Sequence, residues 1–397
     1  MQNDNHVTSE ISSMSVPAIV WALTGCIGLI GSNSLALGPI APAIADGFDV
    51  EVQDIMLASA AFGLGTALGA IALGQLIDRA GPRRTLAYVM LIMGIGFISS
   101  GVAQGAVVLT ISQFLVGISA GVALPAIYTL AAVVASPGHE GRTIGVVLTG
   151  WTISMVAGVP LSTLIADGLG WRAFYIAIAA AALIAGAGLL VNGQEHEAQR
   201  KGVASRTPIT ALTIKGVLPL LAACGCFMAA FYGVYAYVGD HLHVNLEYPV
   251  RANGLAAISY GIGFGSAVFL DRYVDAYSGR RILLPLIFLM VAVVYAVMSL
   301  VSGTYTGVLA VMAIWGLANH FGLNVLIMRL TALEPSQRGA IMGLNSAVTY
   351  LALFAGTIVM GKVYAAEGFV YITLCGGLLS LLASVFSLCA AYVQSPD

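Results

Sequence analysis

The chain has 397 residues, of which 59% are hydrophobic and only 9% are charged, and its net charge at pH 7 is −2. Its mean hydropathy of +0.94 exceeds what a soluble domain needs in order to bury a core. About 20 apolar residues are enough to cross the hydrocarbon part of a bilayer. The composition therefore predicts a membrane protein with many spanning helices, in contact with lipid, and it argues against a nucleic-acid partner.

Twelve apolar stretches follow one another along the chain, at about 17–43, 54–77, 85–103, 107–134, 142–166, 172–192, 215–239, 252–271, 282–301, 306–330, 339–362 and 370–393. One long polar and basic interruption, residues 193–214, divides them into six and six. We therefore expect an all-α membrane protein with an N-terminal six-helix bundle in residues 1–192, a cytoplasmic linker in 193–214 and a C-terminal bundle in 215–397. The N-terminal segment has no Lys or Arg and does not read as a signal peptide.

Orientation is predicted from the basic residues, which favour cytoplasmic loops. If the twelve stretches cross the membrane alternately, three of the 16 fall on one side, namely Arg172, Arg251 and Lys362. The other thirteen fall on the opposite side: Arg79, Arg83, Arg84, Arg142, Arg200, Lys201, Arg206, Lys215, Arg272, Arg280, Arg281, Arg329 and Arg338. This asymmetry predicts an inner (plasma) membrane protein with both termini in the cytoplasm.

The chain also repeats itself. GPRRTL at 81–86 is echoed by GRRILL at 279–284, and the PGHEG that ends at Gly141 is echoed by the PSQRG that ends at Gly339. The offset is 198 residues in both cases. Two six-helix halves related by such a shift form a parallel repeat, which places a substrate path between the halves near the middle of the membrane.

The charged turn GQLIDRAGPRR joins the second and third stretches, and it resembles the most specific signature of the major facilitator superfamily. The matching residues are Gly74, Asp78, Arg79, Gly81, Arg83 and Arg84. A degenerate copy in the second half supplies Asp275, Gly279, Arg280 and Arg281, and Arg142 lies beside the other repeated segment. The resemblance covers the whole chain and implies twelve helices in two six-helix repeats. It also implies that these residues take part in conformational gating.

Two roles remain open within this turn. In the resembling family the Asp interacts with the start of the eleventh helix and locks the halves closed on the cytoplasmic side. The alternative is that Asp78 and the arginines only determine topology. We expect Gly81 to permit a close approach of the backbone that a side chain would block.

The fifth stretch, GWTISMVAGVPLSTLIADGLGWRAFY, resembles the drug and metabolite exporter branch of that family, whose fifth helix carries a Gly-Pro pair. Here Gly158 and Pro160 stand in that place, and they serve either gating or only the packing of a bent helix. In that branch the fourth helix usually carries an Arg, and the matching residue here is Gln113. Gln cannot stabilise an anion or influence a proton site by charge, so the usual coupling chemistry is in doubt.

His320 lies at the centre of the tenth stretch, and it is the one titratable group that the sequence places at mid-membrane. Histidine changes its charge near neutral pH, so His320 is a candidate for proton coupling, for a substrate hydrogen bond or for a structural role. Asp240 and Asp54, nearer the boundary, are the other coupling candidates. Tyr232 and Tyr235 share a helix face and either stack on a substrate or pack together. The predicted substrate path comprises Asn33, Gln113, Tyr128, Tyr232, Tyr235, Asn319, His320, Asn324, Asn345 and Tyr350.

The sequence shows no nucleotide-binding motif and no complete set of metal ligands, so we expect neither a cofactor nor a bound metal, and no enzymatic activity. We expect a monomeric secondary active transporter that moves a small neutral, zwitterionic or moderately apolar organic solute by alternating access. Proton-coupled export is favoured by the resemblance of the fifth stretch. The alternatives are an uncoupled facilitator or importer, and a sensor with a transporter fold.

Overall fold

A computed structural model of the protein describes residues 17–73, 75–136, 139–191, 208–275, 277 and 280–393. Gly74, Gly279 and most of the linker 193–214 lie outside the described residues. The side chains of Asp78, Arg142 and Asp275 also lie outside the described part of the chain.

Twelve helices in the described ranges are long and apolar enough to cross a membrane. In chain order they are α1 (Ala18–Phe48), α2 (Val52–Ala72), α3 (Pro82–Gly101), α4 (Ala106–Val134), α5 (Thr143–Leu169), α6 (Trp171–Val191), α7 (Val217–Asn245), α8 (Val250–Leu270), α9 (Leu283–Val301), α10 (Tyr305–Leu333), α11 (Arg338–Glu367) and α12 (Phe369–Val393). The twelve helices predicted from the sequence are thus confirmed. Helices α1 and α11 end five residues later than their apolar stretches, because backbone hydrogen bonding continues after the apolar side chains end.

The exposed surface is apolar where a membrane helix meets lipid. Leu169 and Phe269 are among the most exposed large side chains, whereas Thr66 and Thr163 are fully buried. This distribution is expected when the surroundings are hydrocarbon, since polar groups must then find partners inside the protein. An even number of crossings places both chain ends on one side of the membrane. We call it the termini side, and the opposite one the far side.

The two halves use the same close packing of small residues. A Cβ on Gly117 of α4 would overlap the carbonyl oxygen of Phe62 in α2. In the second half, a Cβ on Gly316 of α10 would overlap the carbonyl oxygen of Tyr260 in α8. Glycines at such crossings let two helix backbones touch. Helices α2 and α4 therefore pair in the way that α8 and α10 do.

The halves meet along the far side and the middle of the membrane. A Cβ on Gly38 of α1 would lie 3.0 Å from the carbonyl oxygen of Ala236 in α7, and one on Gly63 of α2 would lie 2.9 Å from the carbonyl oxygen of Tyr350 in α11. Toward the termini side, a Cβ on Gly145 of α5 or on Gly343 of α11 would meet no heavy atom within 4 Å. Close contact between the halves is therefore found on the far side and in the middle of the membrane.

Gly81 differs from the expectation drawn from the sequence. No heavy atom of the described residues lies within 4 Å of the position that its Cβ would take, so the predicted close approach of the backbone is not found there. Its φ of 81° is the reason for glycine, because side-chain-bearing residues rarely adopt this conformation. Gly81 turns the chain directly into α3, whose first residue is Pro82.

Helix α5 is not regular. A single π turn, Ser154–Gly158, interrupts it just before Pro160. Proline has no N–H and cannot complete the hydrogen-bond ladder of an α-helix, and π turns accommodate such interruptions, often at functional sites. A Cβ on Gly254 of α8 would lie 3.2 Å from Cα of Pro160. The irregular part of α5 therefore faces the other half.

Candidate functional site

The most unusual polar cluster lies between α8 and α10. Nε2 of His320 lies 3.0 Å and 3.1 Å from the two carboxylate oxygens of Asp271, and Nδ2 of Asn324 donates to Oδ1 of Asp271 at 3.1 Å. His320 and Asn324 are four residues apart, so they share one face of α10. The carboxylate of Asp271 thus contacts two side chains that are neighbours on the surface of α10.

His320 lies near the middle of α10, and Asp271, which directly follows the last residue of α8, reaches it from the termini side. His320 is 15 residues from the first residue of α10 and 13 from the last, about 22 Å and about 20 Å along the helix axis. The side chains of His320 and Asp271 are 13% and 24% exposed. Ionisable groups at such depth are costly in a membrane, and they usually serve transport or proton transfer.

Apolar rings surround the imidazole. Phe264 and Phe321 present edge-on contacts, with ring centroids 4.9 Å and 5.8 Å from that of His320. Nδ1 of His320 is buried and has no hydrogen-bond partner within the described residues. The imidazole therefore has one nitrogen bonded to Asp271 and a second, buried nitrogen that is not bonded to any described residue.

The sequence analysis names His320 as the titratable group at mid-membrane and misses Asp271, its carboxylate partner. The eighth apolar stretch was taken to end at this residue. In the structure a 3₁₀ turn, Ala267–Leu270, is followed by a further helical turn, Asp271–Asp275, which brings the carboxylate beside α10. Asp271 is the first residue of DRYVDAYSGRR. An acid at the end of an apolar stretch, before the basic residues of the loop, was the signal in the sequence that could have identified it.

A second polar network connects three helices of the first half. Nδ2 of Asn33 in α1 donates to Oε1 of Gln113 in α4 at 2.9 Å, and Nε2 of Gln113 donates to Oγ of Ser100 in α3 at 3.1 Å. Gln113 is 1% exposed. Both the oxygen and the nitrogen of the Gln113 side-chain amide are thus hydrogen-bonded to the protein. Within this network, Oδ1 of Asn33 is buried and has no partner in the described part of the chain.

The aromatic residues of the predicted path are mostly packed against one another. Tyr235 lies 6.0 Å from Tyr260 and 6.5 Å from Trp315 between ring centroids. Nδ2 of Asn319 donates to the hydroxyl of Tyr260 at 3.1 Å. Tyr235 and Asn319 therefore lie inside an aromatic cluster of the second half, and Tyr232 lies at its edge, half-buried.

The remaining path residues lie nearer the boundary between the halves. The rings of Tyr350 in α11 and Phe62 in α2 are 6.3 Å apart and cross it. Asn345 is buried, and its Oδ1 has no partner among the described residues, while Tyr128 is half-buried. The predicted path thus falls into several places: Asn33 and Gln113 are bonded within the first half, Tyr235 and Asn319 pack inside the second, and Tyr350 lies at the boundary.

The other coupling candidates lie toward the far side. Asp240, at the end of α7, accepts a 2.6 Å hydrogen bond from the hydroxyl of Tyr364 and is only 7% exposed. It lines a cleft of about 320 Å³ together with Glu51 and Gln53. Asp54 is exposed in the first turn of α2. Asp240 is therefore buried, unlike the water-exposed residue that its position in the sequence suggested.

The residues of the gating turns are partly described. Nε of Arg83 donates to the carbonyl oxygen of Leu189 in α6 at 3.0 Å. Arg329 of α10 donates to the carbonyl oxygen of Arg280, whose guanidinium lies 4.8 Å from the ring centroid of Tyr277. Arg79 and Arg84 are exposed, and Arg281 also makes contacts. These arginines hold the loops of the termini side to the helix ends, and their gating roles stay predictions.

Comparison with known proteins supports a transport role. The family model described as Major Facilitator Superfamily matches residues 21–357. The chain is 26% identical over 376 residues to YwfA of Bacillus subtilis, an uncharacterized MFS-type transporter, with 93% of this chain and 91% of the relative covered. It is 23% identical over 376 residues to YdhP of Escherichia coli K12, an inner membrane transport protein, with 93% and 95% covered.

A shorter match and a solved structure complete the comparison. A chloramphenicol resistance protein of Streptomyces lividans is 27% identical over 230 residues, which are 57% of this chain and 58% of that protein. The crystal structure of a bacterial homolog of the human lysosomal transporter Spinster, in an inward-facing and occupied conformation, matches with a TM-score of 0.79 at 15% identity, covering 96% and 98% of the two chains. With twelve membrane helices, the repeated charged turns and a family match over most of its length, the chain belongs to the major facilitator superfamily.

Proposed function

We propose that this membrane transporter is a proton-coupled exporter, and that the cluster of Asp271, His320 and Asn324 is its proton site. The observation that carries the proposal is the partly buried carboxylate–imidazole pair between α10 and the helical turn that follows α8. Proton binding changes the charge of this pair, and water screens this partly buried pair less than it screens an exposed one. The pair connects two helices, so its charge state can alter how they pack.

Alternating access supplies the transport cycle. We propose that the two halves, residues 1–192 and 215–397, rock about the solute path, with 193–214 as the linker. In the described structure the two halves contact each other on the far side, and we take this arrangement as one end state of such a cycle. We place the termini side in the cytoplasm of a cell whose inner membrane holds the protein, since thirteen of the 16 basic residues lie on that side.

The substrate is a small neutral, zwitterionic or moderately apolar organic solute. The lysines and arginines of the described residues lie in loops or within five residues of a membrane helix end. The deep path therefore offers no basic side chain to hold an anionic solute. Export rather than import is favoured by the irregular α5 with Gly158 and Pro160, and by the relative named for chloramphenicol resistance.

An uncoupled facilitator or importer is the second candidate, and the observation in its favour is Gln113. Its side chain is neutral and bonded at both ends within the first half. The first half therefore lacks the charged residue that the exporter branch has at this position. A sensor without transport activity would show no flux at all.

Transport by purified protein in proteoliposomes distinguishes these functions. A thermal-shift screen against metabolites and drugs first identifies a solute, since a ligand stabilises the state that it binds. We expect that solute to accumulate against its gradient when a pH gradient is imposed, and to stop accumulating when a protonophore collapses the gradient. Equilibration without accumulation would favour the facilitator, and absence of flux would favour the sensor.

A further inference from the structure

Among the described residues, one buried side-chain hydrogen bond joins the halves on the far side, where the more exposed ion pair of Arg251 and Asp167 also lies. Nδ2 of Asn253, in the first turn of α8, donates to the carbonyl oxygen of Pro39 in α1 at 2.8 Å. Asn253 is 2% exposed. Asn253 belongs to the second half and Pro39 to the first, so this hydrogen bond must break whenever the far side opens.

The backbone around this bond is shaped for close contact. A Cβ on Gly239 of α7 would lie 2.8 Å from the carbonyl oxygen of Gly38 and 3.1 Å from Nδ2 of Asn253. Pro42 has no N–H, so the carbonyl of Gly38 lacks its usual partner in α1. The proline-containing part of α1 therefore presents carbonyl groups to the glycine of α7 and the amide of α8.

The amide is satisfied on one side only. Oδ1 of Asn253 is buried without a hydrogen-bond partner in the described structure. When the far side opens, water can hydrogen-bond to both the oxygen and the nitrogen of the amide. This hydration offsets part of the free energy lost with the bond to Pro39. Such a hydrogen bond stabilises the closed far-side contact between the halves, which we call the far-side gate, and still allows it to open reversibly.

We infer that Asn253 is the latch of the far-side gate, acting through its N–H donor to the carbonyl of Pro39. It positions the halves and does not touch the solute. The inference rests on the alternating access proposed above and not on proton coupling, and it assigns a gating role to a residue outside the charged turns.

Two substitutions test the donor. Asn253→Asp keeps the shape of the side chain but replaces the donor by a carboxylate that faces the Pro39 carbonyl, so we expect the population ratio of far-side-open to far-side-closed protein to rise at least about fivefold. Asn253→Ala removes the bond without adding charge, and we expect a rise of about two- to tenfold.

The matched control lies one residue away. The hydroxyl of Tyr305 in α10 donates to the carbonyl oxygen of Ala252 at 2.8 Å. Both groups belong to the second half and move together, so Tyr305→Phe removes a neighbouring hydrogen bond of similar geometry without affecting the gate. We expect it to leave the population ratio unchanged.

Pulsed electron spin resonance distances provide the measurement, in full-length protein whose five cysteines are replaced by alanine. One pair of labels, at Gln104→Cys and Gly303→Cys, reports the far side. A second pair, at Ser136→Cys and Ser336→Cys, reports the termini side. In the Asn253 variants we expect the far-side distance to lengthen and the termini-side distance to shorten, a paired change that local misfolding would not produce.

Two outcomes would overturn the latch. Distance distributions of Asn253→Asp that match those of the parent protein would show that the bond does not hold the gate. An equal shift in Tyr305→Phe would show that any loss of packing near Ala252 opens it. If neither label pair moves in any variant or on addition of solute, alternating access itself fails, and that result is separate from a failure of the latch.

Discussion

Nε2 of His320 lies almost equally far from both carboxylate oxygens of Asp271, at 3.0 Å and 3.1 Å. One imidazole nitrogen therefore lies within hydrogen-bond distance of both carboxylate oxygens. Asn324 holds the same carboxylate through Oδ1 at 3.1 Å, so the acid keeps a partner when the imidazole turns away. This arrangement is suited to a site that gains and loses a proton during each cycle.

Neutral substitutions in this pair separate coupling from solute binding. Asp271→Asn and His320→Gln retain hydrogen-bonding side chains of similar reach, but neither new side chain titrates near neutral pH. We expect both variants to lose pH-driven accumulation in proteoliposomes while they retain solute binding and solute exchange. Glu367→Gln, at the exposed last residue of α11, is the control and should accumulate solute normally.

The same measurements also reveal a contact with the solute. If His320 binds the solute directly, His320→Gln will weaken binding and exchange together. If both variants accumulate solute with the pH dependence of the unsubstituted protein, the pair is not the coupling site. Asp240 would then be the next acid to test.

The sequence predicted the helices well and this site only in part. Apolar run length is a direct measure of what a bilayer requires, so all twelve helices were found. His320 was found because it interrupts an apolar run. Asp271 was missed because it ends one, and only the geometry of α8, which continues through a 3₁₀ turn into Asp271–Asp275, places it beside α10.

Backbone conformation explains the other differences between prediction and structure. The sequence indicates that Gly81 is needed but not whether the cause is a close contact or a positive φ. The pair Gly158 and Pro160 predicts an irregular α5, but the π turn Ser154–Gly158 depends on packing against α1 and α8. Such details depend on neighbours that are distant in the sequence.

The hydrogen bond between Tyr364 and Asp240 makes a stability prediction. Tyr364→Phe removes the hydroxyl that donates to the carboxylate at 2.6 Å and leaves a buried acceptor without this partner. We expect a loss of about 1–3 kcal/mol in the free energy of unfolding, measured as a lower Tm in detergent. Tyr371→Phe, at an exposed tyrosine of α12, should leave Tm unchanged. A Tm for Tyr364→Phe equal to that of the unsubstituted protein would show that the bond contributes little.

Orientation is testable with two exposed positions on opposite sides. Gln104 lies in the far-side loop between α3 and α4, and Ser336 lies in the termini-side loop between α10 and α11. In intact cells, we expect an impermeant thiol reagent to label Gln104→Cys, and to label Ser336→Cys only after the membrane is permeabilised. The reverse pattern would overturn the predicted cytoplasmic location of the termini.

The contact between α1 and α5 supports a final prediction, about Gly158. A Cβ at this position would overlap Oγ of Ser32 and lie 2.9 Å from its Cβ. The hydroxyl can rotate away, but Cβ of Ser32 is fixed to the backbone of α1 and would still be too close. We expect Gly158→Ala to lower the free energy of unfolding by about 1–3 kcal/mol, the usual cost of overpacking a core, and to reduce transport.

Two further variants determine whether this contact is the cause. Ser32→Gly removes the atoms that the new methyl group would meet, so the double variant Ser32→Gly/Gly158→Ala should regain much of the stability that Gly158→Ala loses, a coupling that a double-mutant cycle measures. Gly168→Ala, where a Cβ would meet no atom within 4 Å, is the control and should be neutral or slightly stabilising, since alanine favours helix more than glycine does. If Gly158→Ala is as stable as the control, close packing does not explain this glycine. If stability returns in the double variant but transport does not, Gly158 acts in gating as well as in packing.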